Sequence, residues 1–217
     1  MYATRFSKFN HEDVKNIIVQ PPWERPNGTT MWVRGNLRTQ HDQDLVVTGP
    51  RMKVVYGGCR WYKLVFALPG IADPDVYGFE RFLADISEAV KTKIWEEPGK
   101  YKPGATSNQR FIMDTDYHKE SSDPASYPDE LRTRLLVIKS SSTSEVDQDD
   151  HVMTEMIMNG EPIHPTSIKA GMYITPIFRI SYFRNIDRFG IQLTCLKGLV
   201  EEGESGRSTS DNWIFDL

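Results

Sequence analysis

The sequence predicts a mainly β domain: a small antiparallel Greek-key barrel with one inserted amphipathic helix and a long loop insertion. Three observations carry this reading. Period-two alternation recurs along the chain and amounts to roughly six or seven strands. Only one stretch, after Asp73, has apolar residues at sustained three- and four-residue spacing. Between that helix and the next strand lies an excursion rich in Pro, Gly, Asp, Ser and Tyr, in which only Phe111-Ile112-Met113 is apolar. A β-sandwich is the competing architecture.

Residues 1–20 mix Phe6, Phe9, Val14, Ile17, Ile18 and Val19 with polar residues, as a strand or short helix docked on the core would. After a Pro-rich loop, residues 29–38 alternate. Met31, Val33, Gly35 and Leu37 fall on one face, and Trp32, Arg34, Asn36 and Arg38 on the other. His41 to Asp44 is a turn. Leu45 to Tyr56 is a strand interrupted at Gly49-Pro50, and Gly57-Gly58 signals a hairpin into Cys59–Leu68. In that return strand Tyr62, Leu64, Phe66 and Leu68 oppose Trp61, Lys63, Val65 and Ala67.

Asp73 is a good N-cap and Pro74 suits the first helical position. Val76, Phe79, Phe82, Leu83, Ile86, Val90 and Ile94 then form an apolar stripe, and Pro98-Gly99 ends the helix. Residues 96–130 read as a loop insertion. Leu131 to Lys139 is a strand, 140–150 an acidic loop, and Val152 to Met158 a further strand. Ser167 to Phe183 and Ile191 to Val200 pair as a long hairpin around a turn at Asn185–Gly190. The domain is thus expected over residues 1–200, followed by an acidic tail at 201–217.

Charge and composition narrow the function. No stretch reaches the roughly 20 apolar residues of a membrane helix, and no apolar signal region opens the chain. With only Cys59 and Cys195, a disulfide scaffold and a Cys-rich zinc module are excluded, and two free thiols in a reducing, intracellular compartment are expected. The net charge of −4 conceals a segregation: 16 Lys/Arg face 12 Asp/Glu in residues 1–110, and 5 face 12 in 111–170. Residues 171–200 are basic again, 4 against 1, and 201–217 acidic, 1 against 5. Base gathers in the strands and acid in the loops and tail, which suits a polyanionic partner.

An enzyme would leave traces that are missing. There is no phosphate loop, no GxGxxG and no HExxH, and Gly203-Glu-Ser205-Gly206-Arg207 fails the GxSxG pattern at its last position. His11, His41, His118, His151 and His164 lack metal-ligand spacing, and Asp147, Asp149 and Asp150 lack the rest of a calcium loop. The expectation is a non-enzymatic protein without cofactor or metal.

Aromatic and basic residues are instead interleaved on the strands. Trp32 stands with Arg34 and Arg38, Trp61 with Lys63, and Phe183 with Arg179, Arg184 and Arg188; Arg51 and Lys53 add two more cations. Single-stranded nucleic acid needs both parts: cations that track phosphates, and rings on which bases stack at about 1–3 kcal/mol each. Neither reads base identity.

Val47-Thr-Gly-Pro-Arg-Met-Lys-Val-Val-Tyr-Gly57, Trp61-Tyr-Lys-Leu-Val-Phe66, the Phe79-to-Ile94 helix, and Lys169-Ala-Gly-Met-Tyr-Ile through Arg188-Phe-Gly-Ile191 together resemble one family. It is the predicted single-stranded-DNA-binding proteins of nucleocytoplasmic large DNA viruses. The last hairpin is also similar to that of phage single-stranded-DNA-binding proteins. The resemblance implies an oligonucleotide/oligosaccharide-binding (OB) fold that coats single-stranded DNA, or the related RNA, in replication, recombination or repair, within a host cytoplasm or nucleus. The tail, with Trp213, Ile214 and Phe215 among acidic residues, is similar to the partner-docking tails of such proteins. It implies replication proteins as partners, with self-association as a further expectation. The alternative is a virion or replication-complex scaffold whose exposed aromatics contact protein.

Overall fold

A computed structural model describes residues 3–22, 32–56, 62–102, 105–106, 111–114, 117–124, 126–138, 151–185 and 188–203. In chain order the elements are β1 (Thr4–Arg5), α1 (His11–Lys15), β2 (Ile18–Val19), β3 (Trp32–Arg38), β4 (Val46–Thr48), β5 (Met52–Tyr56) and β6 (Lys63–Leu68). Then come α2 (Pro74–Glu96), α3 (Pro98–Tyr101), β7 (Ile112–Asp114), β8 (His118–Lys119), β9 (Asp129–Leu135) and β10 (Val137–Ile138). The chain continues through β11 (His151–Val152), β12 (Glu155–Met158), β13 (Glu161–Ile163), β14 (Tyr173–Asn185) and β15 (Arg188–Glu201).

Five strands, β5, β6, β9, β15 and β14, close into a ring. β5–β6, β6–β9, β14–β15 and β14–β5 pair antiparallel, whereas β9–β15 is parallel, with Thr194 opposite Arg134. The architecture is an OB-fold-like β-barrel with an inserted helix. The parallel contact is where it departs from an all-antiparallel expectation: local alternation shows a strand's faces, not its neighbour's direction. β14 buries Ile174, Phe178, Ile180 and Tyr182, and β15 buries Phe189, Ile191, Leu193, Cys195 and Val200. The period-two spacing of Ile174–Tyr182 and Phe189–Cys195 sends the residues between them toward the other face. The phase shifts at Leu196, opposite the register shift between Ile177 and Phe178.

The ends of several elements differ from the sequence expectation. The last hairpin is tighter: β14 runs to Asn185, which pairs with Arg188, so only two residues connect the strands. Its first strand begins at Tyr173, after a 3-10 turn at Pro165–Ser167. The strands expected at 131–139 and 152–158 are each broken, by Leu136 and by Met153-Thr154. At the break, the buried Thr154 hydroxyl donates to the Cys195 carbonyl at 2.8 Å and accepts from the Leu136 N–H at 2.7 Å. One side chain thereby satisfies backbone groups that the interrupted ladder leaves over.

Helix α2 forms as its sequence requires. The Asp73 carboxylate accepts from the N–H groups of Asp75 and Val76 at 3.1 Å. Its stripe from Val76 to Ile94 is buried, and Phe79 stacks on Phe178 of β14 at 5.9 Å. Pro98 ends α2 and at once starts the one-turn α3, its missing N–H costing nothing at a helix start. Residues 96–130 therefore carry structure beyond a loop: Tyr101, Phe111 and Tyr117 are buried core residues. The Tyr101 hydroxyl donates to the Val19 carbonyl, and the Trp95 indole N–H donates to the Phe111 carbonyl. These anchors have no common spacing, so periodicity cannot reveal them.

β3 lies against β14 with Gly35 opposite Tyr182. A Cβ at Gly35 would stand 2.2 Å from the Tyr182 ring, whose hydroxyl donates to the Gln20 carbonyl. Gly35→Ala is therefore expected to destabilise the protein by about 1–3 kcal/mol through overpacking, read as a lowered denaturation midpoint with an unchanged denaturant slope. Cys195 is fully buried and its thiol is pushed up to about 12 by that burial; Cys59 lies outside the described residues. In a Cys59→Ser background, a thiol reagent at pH 8 should find no reactive group until denaturant is added.

Candidate nucleic-acid interface

Register places one continuous set of outward side chains across β3, β14, β15, β9 and β6. Arg34 stands opposite Phe183, and Phe183 opposite Gly190; Asn36 opposite Ser181, and Ser181 opposite Gln192. A further row runs Lys63–Arg134–Thr194–Arg179 across four strands. At about 4.8 Å between neighbouring strands this row spans roughly 14 Å, with a cation at three of its four positions.

Within this surface Arg34, Arg134, Phe183 and Gln192 line a cleft of about 290 Å³. The arginines come from β3 and β9, and Phe183 and Gln192 from the strands between. A Cβ at Gly190 would meet the Phe183 ring at 2.7 Å, so the glycine is what lets the ring lie across β15. The ring is 6% exposed, at the edge of the cleft and mostly covered.

The remaining predicted residues divide. Arg38 and Arg179 converge on the Asp44 carboxylate at 3.9 and 3.6 Å, and Arg38 also meets Asp42 at 2.9 Å. Arg188, 58% exposed near the hairpin tip, faces Asp114 at 3.8 Å. Arg34, Lys53 and Lys63 are exposed and form no ion pair among the described residues. Arg184 is the correction. Adjacent strand residues point to opposite faces, so Arg184 leaves the Phe183 face and donates to the Tyr101 carbonyl at 2.8 Å. Arg51 and Lys53 belong to the far end of β14, roughly 33 Å along the strand from Phe183. There Lys53 pairs with Tyr173, while Arg51 stacks over the Tyr173 ring at 3.7 Å and binds Glu201 at 2.7 Å. Glu201, expected in the tail, thus closes β15 instead. The Trp32 backbone pairs with Asn185, but its side chain lies outside the described residues, as do Trp61, Trp213, Ile214 and Phe215 entirely.

Arg132, Arg134 and Gln192 were not expected. The signal existed: Leu131, Thr133 and Leu135 alternate inward, which sends Arg132 and Arg134 outward. No aromatic stands beside them in sequence, so a search for ring–cation pairs passes over this strand. Among the described residues no group of three His, Cys, Asp or Glu could hold a metal ion, and no helix is long and apolar enough to cross a membrane.

The class so defined is an OB-fold-like barrel with a basic outer face. It has solved counterparts. The chain is similar to gp2.5, a single-stranded DNA binding protein encoded by bacteriophage T7, with a TM-score of 0.52 at 12% identity over 78% of this chain and 93% of that one. The single-stranded DNA-binding protein from bacteriophage Enc34 gives 0.41 at 14% identity over 91% and 99% of the two chains. Its complex with single-stranded DNA gives 0.42 at 13% identity over 85% and 96%. No protein-family model and no curated protein matches the sequence. At 12% identity the likeness to the T7 protein is one of fold.

Proposed function

We propose that this protein binds single-stranded DNA through the outer face of β3, β14, β15, β9 and β6, without catalysing a reaction. The observation that carries the proposal is that Arg34 and Arg134, from two separate strands, line one cleft, while Lys63 and Arg179 share the cross-strand row of Arg134 on the same face. In OB folds the face of the second and third barrel strands binds oligonucleotides. Here those strands are β6 and β9, which carry Lys63, Arg132 and Arg134 outward. The T7 counterpart, a single-stranded DNA binding protein, supports the same reading.

The motifs shared with the predicted single-stranded-DNA-binding proteins of nucleocytoplasmic large DNA viruses support a strand-coating role in viral replication, recombination or repair. The acidic residues at 204–217 act in this reading as an intramolecular competitor for the basic face, while Trp213, Ile214 and Phe215 dock on replication proteins.

Anisotropy titration of a labelled single strand against duplex, at several salt concentrations, tests the function. The single strand should bind tighter, with log affinity falling linearly in log salt. Lys63→Ala should lessen that slope by about 0.7 for every phosphate no longer neutralised, alike for different sequences. Salt-independent binding, or none, would refute the proposal. Deleting residues 204–217 should tighten binding most at low ionic strength, where screening is weak; an unchanged affinity would remove the competitor role.

A further inference from the structure

The cleft between Arg34 and Arg134 contains a group that phosphate tracking does not need. Gln192 projects outward from β15 between Arg134 and Phe183, half-buried, and its amide forms no hydrogen bond among the described residues. The neighbouring outward positions on the strand are Gly190 and Thr194.

We propose that this cleft is a subsite for one base of the bound strand, that Gln192 holds the base by its edge, and that keto bases are preferred to amino bases. The inference rests on the single-strand reading above and goes beyond it, because backbone tracking alone is blind to base identity. The volume, about 290 Å³, lies just below the roughly 300–1,000 Å³ typical of small-molecule pockets, which suits one base better than two. Phe183 supplies an apolar border.

The preference follows from counting donors. A guanidinium donates and cannot accept, whereas a glutamine amide does both. Gln192 can therefore hold either pyrimidine: its NH₂ and carbonyl match the O4 and N3–H of uracil, and after a flip they match the N3 and N4 amino group of cytosine. The arginines break this tie. Beside a carbonyl O4 they gain an acceptor, and beside an N4 amino group they meet another donor. Two guanidinium walls around one amide favour the keto edge, as arginine favours the O6 and N7 acceptors of guanine over the amino group of adenine.

Deoxyuridine and deoxycytidine homo-oligomers of equal length test this at pH 8, since both are pyrimidines without a 5-methyl group. The natural protein should bind the deoxyuridine oligomer about five-fold tighter or more, the low end of the discrimination a bidentate contact gives. Gln192→Met, similar in length and unable to hydrogen-bond the edge in this way, should weaken deoxyuridine binding and bring the ratio toward one. Its salt slope and melting temperature should stay unchanged. Lys63→Ala should do the reverse, lowering the slope while keeping the ratio. Equal affinity of the natural protein for the two oligomers would overturn the keto preference, and a ratio untouched by Gln192→Met would overturn the role of Gln192. Failure to bind either oligomer would instead overturn the single-strand reading and the subsite with it.

Discussion

The β14–β15 hairpin is the constraint on which the rest of the structure depends. Its strands, 13 and 14 residues long, are more than twice the usual five or six. No single partner spans their outer edges. β5, β4 and β3 instead occupy successive stretches of the β14 edge, and β12, β9 and β7 successive stretches of the β15 edge. Edges left open at such length would invite pairing with other chains. The register shift between Ile177 and Phe178 lets the long ribbon bend toward closure. Groups distant in sequence, such as Arg34, Arg134 and Gln192, reach one cleft because they register on this common spine.

The same spine separates two kinds of cation. Arg51 at one end is tied to Tyr173 and Glu201 and secures the junction of β14 and β15. Toward the other end Arg34 and Lys63 are exposed without ion pairs among the described residues, while Arg38, Arg179 and Arg188 face Asp44 and Asp114. These pairs are partly buried, with the Asp114 side chain 16% exposed, and at 3.6–3.9 Å they are longer than hydrogen bonds.

Much of the barrel was legible because burial on one face imposes a local rule. The alternation in residues 33–38 and 174–182 marked inward and outward positions correctly, whereas Val65 is buried on the face that alternation sends outward and β15 changes phase at Leu196. Asp73-Pro74 with the stripe to Ile94 defined α2. The candidate interface was legible only in part. Arg34, Lys63 and Arg179 are on the outer face as alternation requires, yet the same rule, applied to Phe183 and Arg184 as neighbours, separates them. Tyr101, Phe111 and Tyr117 were invisible as core residues because each is anchored by a distant partner.

By itself the sequence determined α2 and the main barrel strands, the apolar face of most of them, and where base and acid accumulate. These are properties of residues a few positions apart, set by backbone periodicity and side-chain hydration. Only the tertiary structure decided the parallel closure of β9 on β15, the pairing of Asn185 with Arg188, and the meeting of Arg34, Phe183, Gln192 and Arg134. Those depend on which strand edge pairs with which and in what register, and such pairings are settled by the joint burial of the whole core, including Phe79 against Phe178 and Phe111 against Phe189.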